Sequence, residues 1–456
     1  MARSREIIND MTVGSVPRKL LTFALPFMLS TLLQTAYGMV DMMVVGQVVG
    51  SSGLSAVSLS TRVLWMTTAL CMGFTNAGQI LIAQLVGAGK KEDLQKTIGT
   101  LILTVFCAAM FVTVFGLSLT KVILRLLRTP PESFRGASQY LHITFVGTVF
   151  TFGYNLVSAM FRGMGDSKHP LIFVAIAASV NLVLDILAVA VFHMGVAGAA
   201  LATITGQAVS LVISVVYLYR RREKFGFDFR RESFRFHKES LAKLVRLGVP
   251  FAMQNAAISI SMLFVNSFVN SYGVVASATF GTGTRIEEFP WIIMNGILAA
   301  SATMVGQNMG AGKQDRMCQV VTVGAVVCGV TAAVVVVLFL LFPRQIYSLF
   351  TSDAAVLELC PKFMLALACS VPATSLMCPY QAFIEGIGNA RLTLIIALLD
   401  GFVSRIAISL ILAYGFGLGL MGWFFGYGMA AYVNTIISMI YYYGGFWKKR
   451  VSLVSV

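Results

Sequence analysis

Twelve apolar stretches, each long enough to cross a bilayer, set the limits on what this chain of 456 residues can fold into. They run near 20–46, 54–86, 97–120, 137–161, 170–192, 196–219, 246–271, 275–308, 318–342, 360–384, 392–414 and 418–443. Each can span a hydrocarbon core about 30 Å thick, the longer ones by tilting or projecting. Backbone polar groups find no water inside lipid, so segments of this length must close their hydrogen bonds internally, as helices. Only 12% of residues are charged and the mean hydropathy is +0.82, the profile of a polytopic membrane protein rather than a soluble enzyme. The expected fold class is therefore an all-α membrane protein with twelve transmembrane helices.

The net charge of +15 would also fit a nucleic-acid binder. The basic residues lie in short loops between apolar segments, where they act as topology signals and contacts to anionic lipid, so no nucleic-acid partner is expected. With both termini on the cytoplasmic side, the inside segments carry 24 Lys and Arg and the outside loops 6. That bias predicts cytoplasmic N- and C-termini in the inner or plasma membrane. The seven cysteines lie in or beside apolar segments without C-x-x-C spacing and read as packing residues, not a disulfide frame or zinc site. The first apolar segment is too long for a cleaved signal peptide and should remain as the first span.

The two halves repeat each other. Pro26 in LPFMLSTLLQ matches Pro250 in VPFAMQNAAI, QLVGAGK at Gln84 matches QNMGAGK at Gln307, and RGMGD at Arg162 matches EGIGN at Glu385, at offsets of 223 or 224. Arg62 and Arg285 also pair, as do Gly195–Gly198 and Gly419–Gly422. An even number of spans per half gives both halves one orientation, so two six-helix bundles related by a pseudo-twofold axis along the membrane normal are expected. The expected divisions are an N-terminal lobe, 1–219, a basic cytoplasmic linker, 220–243, and a C-terminal lobe, 244–456. The linker reads either as a short amphipathic helix on the inner membrane face or as a solvated connection.

Polar residues inside the spans carry the chemistry. Asp41 lies in the first span with no basic residue near it on its own helix. Placing it in lipid would cost about 2.5–3.5 kcal/mol, so it should face a bundle interior or a wet cavity; a structural salt bridge is the plainer alternative. Asn181 and Asp185 are four apart on one face of span five, and Thr203 lies in span six. By helix rise, Asp185 is roughly 22 Å from the cytoplasmic end of its span, Thr203 roughly 10 Å from the outer face, and Asp41 roughly 30 Å along span one. All three fall in the outer half of the first bundle. Two carboxylates, an amide and a hydroxyl at one depth make an oxygen site for Na⁺ or a shared proton; interhelical packing is the alternative. Pro26 removes a helical hydrogen bond and marks span one as the bending element. Gln34, Tyr37 and Asn155, with neighbouring Met and Phe, are candidates for a substrate pocket wall, and each is equally readable as packing.

The second half differs. The positions matching Asp41 fall near Val265 and Asn266, and that of Asp185 falls near Ile408. Its span charges are Arg285, Glu287, Glu288, Asp400 and Arg405, expected to be buried, with ion pairing as the leading reading and a second coupling site as the other. His142 and His193 read as interfacial. The G-A-G-K repeats lack the G-x-x-x-x-G-K-[ST] pattern of a phosphate loop and follow transmembrane helices, so they read as helix stops and tight turns. No nucleophile triad, metal-spaced cluster or dinucleotide fingerprint is present, and no enzymatic activity or cofactor is expected beyond H⁺ or Na⁺ as coupling ion.

LPFMLSTLLQTAYGMVDMMVVGQVVG, the paired G-A-G-K turns, FRGMGD, NLVLDILAVAVFHMGVAGAALAT and the repeat together resemble the multidrug and toxic compound extrusion (MATE) transporters, especially their DinF-like bacterial branch. The resemblance implies a first-lobe cation site at Asp41, Asn181, Asp185 and Thr203. Other branches carry a Glu in span seven where this chain has Ile258, so coupling should rest on the first lobe. The implied function is a secondary-active antiporter, expected as a monomer, exporting amphiphilic or cationic small molecules for H⁺ or Na⁺ by alternating access. A lipid-linked oligosaccharide flippase of the wider superfamily is the alternative, and an uncoupled channel or receptor a further one. A major-facilitator transporter would show a D-R-x-G-R-type loop where this chain reads GAGKKEDLQK.

Overall fold

The structure, a computed structural model, describes residues 9–450 and 452–454. Arg3 and Arg5, two of the basic residues that set the expected orientation, lie outside the described residues. Within them there is no β-strand. The helices are α1 (Val16–Val48), α2 (Ser51–Ala88), α3 (Lys91–Leu126), α4 (Pro131–Val146), α5 (Thr148–Gly163), α6 (Lys168–Asp185), α7 (Gly195–Arg220), α8 (Arg222–Phe225), α9 (Lys238–Asn270), α10 (Val274–Gly310), α11 (Gln314–Leu341), α12 (Pro343–Ser348), α13 (Ala354–Gly386), α14 (Ala390–Leu398), α15 (Arg405–Leu410) and α16 (Leu420–Tyr443). Ten described helical stretches are long and apolar enough to cross a membrane, and the bent pair α4–α5 makes an eleventh. α16, 24 residues without a charge, takes the place of the expected twelfth span; its Trp, Tyr, Asn and Gly residues lower its hydropathy.

The segment expected as one span near 137–161 is two helices, α4 and α5, bent by 52° at Gly147. Thr113 on α3 donates from Oγ1 to the Phe145 carbonyl at 2.8 Å. A side chain that takes a carbonyl from the helical ladder is a recognised cause of a kink.

The chain groups into two compact units. The first holds the residues up to Asp10 and Leu25–Ala252; the second holds Met11–Ala24 and the residues from Met253 onward. The divisions fall inside α1 beside Pro26 and inside α9 beside Pro250. In the first unit the far half of α2, Ala77 to Leu85, is wholly buried. There α7 lies directly on α6, because a Cβ at Gly206 would stand 2.7 Å from the Ala177 carbonyl oxygen. In the second unit Phe280, Phe363 and Phe424 pack ring to ring between α10, α13 and α16.

Both G-A-G-K turns end helices as expected. Gly89 (φ 69°) caps α2 and Gly312 (φ 70°) follows the end of α10, each in the left-handed region open to glycine. The second turn also binds chain: Lys313 Nζ donates to the Thr12 carbonyl at 2.9 Å and Met11 N–H to Gln307 Oε1 at 2.9 Å. Arg316 donates to the carbonyls of Met11 (3.2 Å) and Gly14 (3.0 Å).

The linker matches neither expectation. Between α7 and the start of α9 at Lys238 it holds only the single turn α8 and a 3₁₀ turn, Arg231–Ser233, so no separate amphipathic helix forms there. Nor is it simply solvated, since Phe225 and Phe227 are fully buried. Thr100 on α3 donates to the Arg235 carbonyl (3.2 Å) and accepts from His237 N–H (3.1 Å), while Gln95 donates to Ser233 Oγ (3.0 Å). Ser233 in turn donates to Asp228 Oδ1 at 2.5 Å, which holds that carboxyl below the usual carboxylate range. In FGFDF, Phe225 and Phe227 are buried and Phe229 less so, and with the hydrogen bonds to Thr100 and Gln95 the linker is a strap laid on α3 rather than a helix.

Candidate functional site

The first unit brings the polar span residues together. Asp41 on α1 and Asp185 at the end of α6 are 7% and 1% exposed, and their carboxyl groups lie close to each other. Asn181, one turn before Asp185, donates from Nδ2 to Thr203 Oγ1 on α7 at 3.3 Å. The Gly206 contact that lays α7 on α6 is what lets this pair meet. Directly after Asp185 the α-helix gives way to a π-helix, Ile186–Val191, a local form found often at functional sites.

The acids lack counter-charges. Neither Asp41 nor Asp185 enters an ion pair among the described residues. Asp41 Oδ1 and both oxygens of Asp185 find no hydrogen-bond donor there. An ionised carboxyl only accepts, so two of them facing each other share no donor. A proton on one, or a small cation between them, supplies what both need. The structural salt bridge considered for Asp41 is therefore not made among the described residues.

Tyr140 on α4, buried, lies close to both aspartates and to Thr203. Sequence reasoning missed it, because a tyrosine in an apolar span is ordinary; its only signal was a hydroxyl in a stretch that also holds His142. Tyr37, one turn before Asp41, lies close to Gln207, which accepts a short hydrogen bond from Thr151. Gln34 donates to Tyr154 Oη at 3.3 Å and stays exposed. Asn155 donates to the Thr151 carbonyl one turn back on its own helix at 2.9 Å, so its amide is engaged locally. α1 runs unbroken through Pro26, and the Pro26 carbonyl accepts from Ser30 Oγ at 2.8 Å. Thr31 and Thr35 back-bond in the same way, a pattern that bends helices. His142 accepts or donates within its own turn, to Ser138, and His193 is exposed at the turn before α7.

In the second unit the expected buried charges divide. Asp400 and Arg405 are buried and pair at 3.6 Å. Arg405 stacks on the Tyr427 ring at 5.3 Å, and Tyr427 Oη donates to Glu287 Oε2 at 2.8 Å. Glu287 is half-buried. Arg285 and Glu288 correct the expectation of burial: they pair at 3.3 Å with side chains 59% and 44% exposed. They share α10 with Glu287 but lie on other faces, which the sequence does not rank.

A helical membrane protein whose halves repeat, with an uncompensated acid pair buried in one of them, has the make-up of a membrane transporter. The chain belongs to the MatE family: the family model matches residues 26–187 and 250–414, one stretch in each half. It is 28% identical over 441 residues to YpnP, a probable multidrug resistance protein of Bacillus subtilis (strain 168), covering 96% of this chain and 97% of that one. Among solved structures it is similar to a MOP superfamily transporter from Pyrococcus furiosus Vc1 (DSM3638), with a TM-score of 0.91 at 21% identity, over 99% of this chain and 100% of that chain. An outward-facing multidrug resistance MATE family transporter of the MOP superfamily matches with a TM-score of 0.89 at 22% identity, over 98% of both chains. These matches establish the fold.

Proposed function

We propose that this protein is a multidrug exporter of the DinF-like branch, working as an antiporter. It moves amphiphilic, often cationic compounds out of the cell in exchange for inward H⁺ or Na⁺, by alternating access. The observation that carries the reading is the contact between Asp41 and Asp185, buried and without a counter-cation among the described residues. The multidrug resistance relative YpnP, aligned over nearly the whole chain, supports the substrate class. Asn181, Thr203 and Tyr140 complete the ion site, and Gln34, Tyr37 and Asn155 line the path of the cargo. Coupling is mutual exclusion: cargo binding favours the ionised pair, the ion weakens cargo binding, and linkage makes the effect reciprocal. α1 bends at Pro26. The chain works as a monomer in the cytoplasmic membrane, with both termini inside, an orientation that the basic loops favour.

Reconstitution with imposed pH and Na⁺ gradients, varied separately, tests this. Wild type drives cationic dye uphill on at least one gradient, and Asp41→Asn and Asp185→Asn do not; uphill transport by both variants removes the site assignment. Pro26→Ala slows transport at unchanged dye binding, and wild-type rates in that variant would remove the bending role.

A further inference from the structure

The charges of the second unit's cluster have no charged counterpart in the first. At the offset of 223 that holds before the π-helix, Glu287 and Asp400 correspond to Leu64 and Ala177; at the offset of 224 that holds after it, Arg405 and Tyr427 correspond to Asn181 and Thr203. The cluster also rests on a backbone feature of its own. At 3.6 residues per turn, side chains five apart point about 140° away from each other, so Asp400 and Arg405 would not meet on an α-helix. Here Leu399–Ser404 is a π-helix, whose i→i+5 bonds bring positions five apart onto one side. The π-helix at Ile411–Gly415 is the one that matches the turn after Asp185; the segment at Leu399–Ser404 is additional.

The fit of Arg405 in this cluster is that of an occupant rather than of a closed ion pair. Its Nη2 stands 3.6 Å from Asp400 Oδ1, beyond hydrogen-bond length. Arg405 Nε and Asp400 Oδ1, both on residues more than nine-tenths buried, have no hydrogen-bond partner. The guanidinium instead lies over the Tyr427 face, and Tyr427 is held by Glu287. An aromatic face flanked by two carboxylates is the chemistry that recognises an organic cation.

We propose that Glu287, Asp400 and Tyr427 form a binding site for a monovalent cation of the guanidinium class, which the chain fills with its own Arg405. Its consequence for transport rests on the antiport reading: a unit with a resident cation needs no coupling ion, which leaves ion exchange to the first unit.

The test uses full-length Arg405→Ala in detergent, melted against low-millimolar guanidinium chloride or sodium chloride. The variant melts below wild type; guanidinium restores its Tm saturably, sodium does not, and wild type responds to neither. Adding Asp400→Asn to Arg405→Ala abolishes the response. Equal effects of the two salts on Arg405→Ala overturn the site. Should Arg405→Ala fold poorly, methylguanidinium in the growth medium raises its folded yield several-fold, and an unchanged yield overturns the site equally. In proteoliposomes the reversal potential shows one further charge per cycle for Arg405→Ala without guanidinium and the wild-type value with it; an unchanged value overturns the functional consequence. If wild type itself shows no gradient-driven transport, the antiport reading falls, while the Tm titration still decides the site.

Discussion

Each unit sets a pair of acids among its helices, and the two units treat them in opposite ways. In the first, Asp41 and Asp185 face each other with no cation from the chain among the described residues. In the second, Asp400 and Glu287 are joined by Arg405 and Tyr427. A buried acid without a counter-charge is held at a cost and draws a proton or ion from outside. A buried acid with a guanidinium is already neutralised and becomes part of the packing. The halves repeat, and among the described residues the first leaves its buried acid pair without a cation from the chain while the second does not.

The sharpest way to break this contrast is to neutralise one acid in each unit. Asp41→Asn or Asp185→Asn lowers gradient-driven export by at least about tenfold, the scale of a lost coupling energy of 1–3 kcal/mol. The same change leaves the melting temperature unchanged or raises it, since an amide needs no counter-ion. Asp400→Asn does the reverse: it strands Arg405 and destabilises the protein by about 3–5 kcal/mol in denaturant unfolding. Replacing both partners, Asp400→Leu with Arg405→Met, recovers most of that loss, as removing a whole buried pair usually does. Equal stability changes at Asp41 and Asp400 would erase the distinction between the units.

A smaller effect sharpens the geometry of the first site. Gly206→Leu forces α7 off α6 and costs about 1–3 kcal/mol, the usual price of overpacking. It also parts Thr203 from Asn181, so ion affinity falls although no polar group is removed; transport assays with Na⁺ or pH titration read this. The smallest effect lies outside both sites, in the linker. Asp228 is held below its ordinary range by Ser233. Its contribution to stability is present above the unfolded carboxylate value and lost as pH falls through the lower folded one. Ser233→Ala flattens that acid limb of the melting curve, and an unaltered limb would show the hydrogen bond to be idle.

The fold was legible in the sequence because lipid leaves few solutions. Segment length and the offset repeat marked the helices and the two matched halves. The acid pair was legible for the same reason, since Asp41 and Asp185 stand out against apolar surroundings. What stayed hidden depends on contacts rather than composition. Tyr140 reads as any aromatic in a span until α4 is placed beside α6 and α7. The bend at Gly147 follows from Thr113 on another helix reaching the Phe145 carbonyl. The linker looked amphipathic because arginines and phenylalanines are mixed along it, and its rings are instead buried on neighbouring helices, Phe227 beside Gly99 on α3 and Phe225 against Phe161 on α5. Arg285 and Glu288 shared a helix with Glu287, and only packing separates the exposed pair from the inner acid. The π-helix that joins Asp400 to Arg405 leaves no mark in periodicity at all.

The central claim is that the first-unit acids bind cargo and ion in exclusion of each other. The most direct measurement is the affinity of a cationic dye for the purified protein across pH and Na⁺ concentration. The account predicts that affinity falls as protons or Na⁺ rise, and that this dependence disappears in Asp41→Asn and Asp185→Asn. The same dependence in wild type and both variants would contradict it.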